Sequence, residues 1–226
     1  MAYTAPSAVV AAQAITASLY NTYVKDNIID LNARLGQQAG IYTTEAVRDA
    51  AITSPTEGMV CYLTAPTVPA ATGTTTMIPS GIRTVYNGSV WVCVTEVAAT
   101  TPASGTTTST SFTATLSGSP GTNPSVTLVT GTTAMIMVRA GLQNGTAGSA
   151  ALCSVAVSGA TTKAAALDDQ GIAFRSATAS NDAIIGSSVV MSGLTAGTNT
   201  FTLNYATSSA STSTFVRRTL AVRGIA

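Results

Sequence analysis

Apolar positions along the chain fall into two rhythms. From Ala17, the positions Asn21, Val24, Ile28, Leu31 and Leu35 recur at alternating spacings of 4 and 3, which predicts a helix with a heptad seam and Asn21 at one core position. Thr16 or Ser18 supplies an N-cap, Asp30 and Arg34 form an i,i+4 pair, and Gly36 stands where the helix should stop. A stripe of this length is marginal alone. It must pack either on its own domain or on the same seam in other copies of the chain.

Beyond residue 40 the rhythm shortens to that of strands. Residues 41–97 read as a small β-unit. Ser54-Pro55-Thr56-Glu57-Gly58 has turn chemistry, and Met59 to Leu63 is a short strand. Thr84-Val85-Tyr86 and Val90-Trp91-Val92 flank Asn87-Gly88 and should pair as a hairpin through a type I′ turn. Ala65 to Ser80 has no period and reads as a loop. Residues 98–110, made of Ala, Thr, Ser, Gly and one Pro, lack any large side chain and read as a linker, placing a domain boundary there.

Residues 111–226 then carry about eight β-propensity runs, punctuated by Gly, Asn, Ser and Pro: Phe112–Leu116, Ser125–Val129, Ala134–Arg139, Ala151–Val157, Ile172–Arg175, Ala183–Met191, Asn199–Tyr205 and Thr214–Arg223. Their length and spacing predict an antiparallel, jelly-roll-like β-sandwich. In Phe201-Thr202-Leu203-Asn204-Tyr205 the odd positions should face its core. The expected fold is therefore mainly β: an N-terminal arm and helix (1–40), a small β-hairpin unit, a linker and a C-terminal sandwich. The last strand carries Arg217-Arg218, which alternation sends to opposite faces. The inward one then needs a partner, for which Asp168, Asp169 or Asp182 of the same domain or of an adjacent copy would serve.

Charge changes the picture of what such a fold does. Only 8% of residues are charged and the net charge is +1, so solubility rests on hydroxyl groups and little repulsion keeps copies apart. The charge-free run from Val97 to Val138 fits an assembly surface, and equally a linker followed by buried strands. No Lys/Arg cluster exceeds Arg217-Arg218, which gives no footprint for nucleic acid. No apolar run reaches the length that spans a bilayer, and Met1 to Ala14 lacks the basic start of an export signal.

Candidate chemistry is sparse. The chain has no His, which removes the commonest general base and metal ligand. Asp168-Asp169 sits in a turn-like context, where a calcium site with Asp182 competes with a plain solvated turn. Glu45, Glu57 and Glu96 are the remaining candidates for a carboxylate pair. Lys163, Arg175, Arg217 and Arg218 are too dispersed to read as an anion site. Cys61, Cys93 and Cys153 lie in apolar stretches and read as small buried hydrophobes, with a Cys61–Cys93 bridge as the alternative. No enzyme activity, metal or cofactor is expected.

Two segments carry a resemblance. Ala17-Ser18-Leu19-Tyr20-Asn21-Thr22-Tyr23-Val24-Lys25-Asp26-Asn27-Ile28-Ile29-Asp30-Leu31 resembles an N-terminal stretch of minor structural proteins of tailed bacteriophages. Pro55 to Leu63 followed by Val85 to Trp91 is similar to a small β-unit of tail-fibre and baseplate-associated proteins. Together these cover about a third of the chain. The resemblance implies a homotrimer on the virion surface, assembled in the host cytoplasm and held to other virion proteins by its N-terminal part. It implies either a tail fibre or tail tip, or a capsid decoration or head fibre. Asn21, Val24, Ile28, Leu31 and Leu35 become the candidate oligomer interface. The alternative is a module that binds a host-surface glycan or receptor through the C-terminal sandwich, with exposed loops such as Leu142–Ser149 in contact.

Overall fold

The computed structural model describes residues 27–28 and 39–226, except the side chains of residues 39, 168 and 169. Seven of the eight C-terminal runs are strands: β10 (Ser125–Thr130), β11 (Thr133–Asn144), β12 (Ala150–Gly159), β13 (Ile172–Arg175), β14 (Asp182–Ser192), β15 (Gly197–Thr207) and β16 (Ser213–Ile225). They form two sheets, β13-β12-β15-β10 and β14-β11-β16, with the chain passing repeatedly between them in jelly-roll fashion. The fold is mainly β, as expected, and every pairing in the sandwich is antiparallel. The eighth run, Phe112–Leu116, is not a strand. Only Thr113 bridges, to Tyr205.

The core follows the alternation of the strands. Phe201, Leu203 and Tyr205 of β15 point inward beside Val126, Val155 and Cys153 of the neighbouring strands. The facing sheet supplies Ala134, Ile136, Val138, Ala140 and Leu142 from β11. Each large side chain removed from water in this way contributes roughly 1.5–3 kcal/mol. The Tyr205 and Phe215 rings meet across the two sheets at 4.9 Å.

The expected linker is part of this core, which corrects the domain boundary at 98–110. Residues 97–101 form β7 (Val97–Thr101), paired to β16, and residues 105–107 form β8 (Gly105–Thr107), also on β16. Ala98, Ala99 and Thr101 are buried. Small side chains read as linker because they have little burial to offer, yet flanking strands on both sides of β7 satisfy its backbone and need small residues to close over it. The expected loop at 65–80 is corrected in the same way. β3 (Ala70–Thr72) extends one sheet by pairing with β10, and β4 (Thr75–Met77) extends the other by pairing with β7.

The small unit is a four-stranded sheet in the order β1-β2-β5-β6. It comprises β1 (Ala39–Tyr42), β2 (Val60–Leu63), β5 (Ile82–Tyr86) and β6 (Trp91–Cys93), with β1 parallel to β2. The hairpin pairs as expected, Val85 with Val92 and Tyr86 with Trp91. Its turn differs: four residues connect the strands and only Gly88 has positive φ, at 87°. Asn87 instead accepts hydrogen bonds from the Ser89 and Val90 N–H groups through Oδ1, an Asx turn that competes with type I′ geometry. Helix α1 (Glu45–Ala51), capped by Thr44, was too short for periodicity to show. It places Arg48 over the Trp91 ring at 4.6 Å, with its charge paired to Asp49 at 2.9 Å.

The unit is not autonomous. Leu63, Ile82 and Cys93 belong to the sandwich core, and a Cβ on Gly224 of β16 would lie 2.4 Å from Val92 Cγ1, so only glycine lets the last strand pass so close to β6. Cys61 and Cys93 are free and buried. Both flank Thr84, on strands either side of β5, about 9–10 Å apart for two strand spacings, too far for a disulfide.

The decisive local feature is a bulge in β16. Register along β11 shifts between Arg139 and Gly141, so that Arg217 and Arg218 together oppose Ala140. Arg217 has φ of 52°. Before the bulge the odd residues Ser213 and Phe215 face the core; after it the even residues Arg218, Leu220 and Val222 do. Arg218 is therefore the inward member of the arginine pair, 1% exposed.

Among the described residues its partners are a phenol and backbone carbonyls, with no carboxylate. Nη1 donates to Tyr205 Oη at 3.2 Å, and Nη2 donates to the carbonyls of Ala103, at 3.3 Å, and Pro120. Tyr205 in turn donates to Asn123 Oδ1 at 2.6 Å. Burial pushes the Tyr205 hydroxyl far above its ordinary pKa, with nearby Cys153 adding to the rise and Arg218 opposing it. The phenol thus stays neutral and bridges cation to amide. Burial likewise pushes the Cys153 thiol up to about 12.

Removing the guanidinium would leave two carbonyls and a phenol without their donor. Arg218→Ala is expected to lower unfolding free energy by about 3 kcal/mol, measured by urea denaturation; a loss under about 0.5 kcal/mol would contradict the assignment. Glu45 stands in the first turn of α1. It accepts from the Thr67 and Val68 N–H groups and the Thr67 hydroxyl at 2.9–3.2 Å. Partial burial works to raise its pKa, but these hydrogen bonds outweigh it and hold the carboxyl below the ordinary 4.5. A depressed folded pKa stabilises above the unfolded value and is lost as pH falls through the folded one. Glu45→Gln should lower the melting temperature at pH 7, and the gap to the parent chain should close as the solution is acidified.

Candidate functional site

Of the candidate seam, Asn21, Val24, Leu31 and Leu35 lie outside the described residues. Ile28 is helical and half exposed. The chain re-enters the described part at β1, the edge strand of the small sheet. There Ile41 is 75% exposed and lies in register beside Tyr62, 44% exposed, with Val47 of α1 also exposed. The end of the fold where the N-terminal segment joins it therefore presents apolar side chains to solvent.

A second surface is the outer face of the sheet β14-β11-β16-β7-β4. Two rows of side chains cross it, built by strand register. One row runs Met137, Ala221, Ala98, Met77 across β11, β16, β7 and β4; its terminal methionines are 42% and 52% exposed. The next row runs Arg139, Thr219, Thr100, Thr75 across the same strands. Arg217, turned outward by the bulge, and Pro102 join this second row around a groove of about 390 Å³. Among the described residues the one ion pair is Arg48–Asp49, so Arg139 and Arg217 face the groove without a carboxylate. The dispersed arginines of the sequence thus converge in part: Arg217 meets Arg139, while Arg175 sits elsewhere on β13. Arg139 had no sequence signal, because its pairing with Arg217 depends on the β11–β16 register.

The other candidates do not assemble. Asp168 and Asp169 fall on the single turn α2 (Leu167–Gln170), with side chains outside the described residues, and Asp182 opens β14. Among the described residues no three His, Cys, Asp or Glu side chains come together as metal ligands. Glu45 is engaged by the backbone of Thr67 and Val68. The expected contact loop Leu142–Ser149 is anchored at its start, where Leu142 is buried in β11 and buried Asn144 donates to the Thr207 and Ser213 hydroxyls at 3.0 and 2.8 Å, and is exposed at residues 145–148. Among the described residues no helix is long and apolar enough to cross a membrane.

No protein-family model matches the chain, and no curated protein matches it by sequence. Similar solved structures include a tumour necrosis factor, Eiger, from S. frugiperda, 8% identical over 54% of this chain and 85% of that one, with a TM-score of 0.37. A xylan-binding domain from Paenibacillus barcinonensis is 10% identical over 51% of this chain and 81% of its own, with a TM-score of 0.22. An isomalto-dextranase from Arthrobacter globiformis, complexed with panose, is 17% identical over 47% of this chain and 17% of its own, with a TM-score of 0.26. At these TM-scores the likenesses assign neither a relationship nor an activity.

Proposed function

We propose that the chain is a non-catalytic structural protein of a bacteriophage particle surface, a homotrimeric appendage attached through its N-terminal part. The observation that carries this reading is the apolar pair Ile41 and Tyr62 at the root of the N-terminal segment. Solvent-exposed hydrophobics at such a junction favour a covering surface, either another copy or the particle. The heptad seam from Asn21 to Leu35 supplies a trimer-forming element on the same segment. Its resemblance to tailed-phage minor structural proteins, and a chain with 8% charged residues, fit the same role. The sandwich then projects away from the particle.

Light scattering on the full-length chain should give about 68 kDa, three times the 22.6 kDa monomer. The double substitution Ile28→Asp with Leu31→Asp should reduce the mass to that of a monomer and leave the sandwich's melting cooperative. A monodisperse monomer of the unaltered chain at micromolar concentration would sink the trimer reading.

A further inference from the structure

We propose that the groove between Arg139 and Arg217 binds an acidic sugar, a uronic or sialic acid unit presented on a glycan. The inference goes beyond the assembly reading and does not depend on it, since the groove lies on the outer sandwich face of a single chain.

Three features of the groove converge on that ligand class. Two guanidiniums flank it with no carboxylate paired to either among the described residues. A guanidinium pair suits a carboxylate, which each can meet through parallel N–H donors. Between the arginines and the sheet edge, the Thr219, Thr100 and Thr75 side chains form a ladder along the register. Among the described residues none of these three hydroxyls has a hydrogen-bond partner, unlike Thr101 beneath them, which donates to the Thr122 carbonyl. They are free to exchange hydrogen bonds with a polyol. The adjacent row, about 7 Å away and two residues along each strand, offers apolar contact at its ends, the exposed Met137 and Met77, while Ala221 and Ala98 between them are buried. A sugar ring has an apolar C–H face, hydroxyls at its rim and, in an acidic sugar, one carboxylate. Those three chemistries match the methionines, the ladder and the arginines.

The backbone supports the placement of Arg217. A non-glycine residue at φ of 52° is held in a sparsely populated conformation, and the bulge that holds it there aims this side chain out at the groove while Arg218 turns in. An acidic peptide would meet the arginines equally well but presents far fewer hydroxyl groups to the ladder than a polyol does, and this separates the two ligands experimentally.

Calorimetry on the full-length protein with trigalacturonate, oligomannuronate and sialyllactose, beside neutral galacto-oligosaccharides and oligoglutamate, tests the assignment. At least one acidic sugar should bind, with neutral sugars and oligoglutamate weaker by about tenfold or more. Arg139→Gln combined with Arg217→Asn should weaken that binding by about tenfold or more; asparagine is chosen because it accepts positive φ. Arg175→Gln, which removes an exposed charge elsewhere, should leave it unchanged. Absence of binding across all three acidic sugars, or binding that survives the double substitution, would overturn the proposal. Oligoglutamate binding as tightly as the best sugar would assign the groove to acidic peptide instead.

Discussion

A single extra residue in the last strand decides which side of the molecule is inside. β11 alternates without interruption from Ala134 to Asn144, every even residue facing the core. β16 keeps pace with it only by slipping one position at Arg217, so its inward residues change from Ser213 and Phe215 to Arg218, Leu220 and Val222. A strand without that slip would expose one half of its apolar set, because the side-chain period is two. The bulge also explains an otherwise expensive feature, a fully buried guanidinium. The segments that wrap the sandwich edge turn carbonyls from Ala103 and Pro120 toward its Nη2, and Tyr205 meets its Nη1, leaving Nε alone without a partner among the described residues. Buried charge is tolerated where such dipoles replace water.

The same slip links fold to surface chemistry. Arg217 is pushed outward where Arg139 already stands, and the ladder of threonines fills the space between them and the sheet edge. Inside and outside are therefore set together: the residue that lets Arg218 enter the core also places a second cation over the groove. On a chain with so few charges, two guanidiniums in one groove, neither paired to a carboxylate among the described residues, form a local feature rather than part of a general field.

Much of the sandwich was legible in the sequence because seven strands there are bounded by turn residues and built from β-branched or aromatic side chains. Val85-Tyr86 and Val90-Trp91-Val92 announced their hairpin for the same reason. What escaped were the strands made of small residues. Val97–Thr101, Ala70–Thr72 and Thr75–Met77 carry little intrinsic signal, and their strand character comes from the neighbours that pair with them. The groove was illegible for a related reason. Alternation sent Arg217 and Arg218 to opposite faces, but Arg139 and Arg217 lie 78 positions apart, and only the register across the bulge makes them neighbours. The carbonyl partners of Arg218 were not foreseen because sequence pattern favours carboxylates for a buried cation, whereas carbonyls of irregular segments at Ala103 and Pro120 carry no side-chain signal at all.

If β16 must carry one extra residue at Arg217, deleting that residue should break the sandwich. With the strand straightened, either Ser213 and Phe215 or Arg218, Leu220 and Val222 must face solvent. The deletion variant is expected to lose its cooperative thermal transition, followed by circular dichroism, while Arg217→Gly, which keeps the bulge, retains it. A deletion variant that melts cooperatively at the temperature of the unaltered chain would contradict the claim.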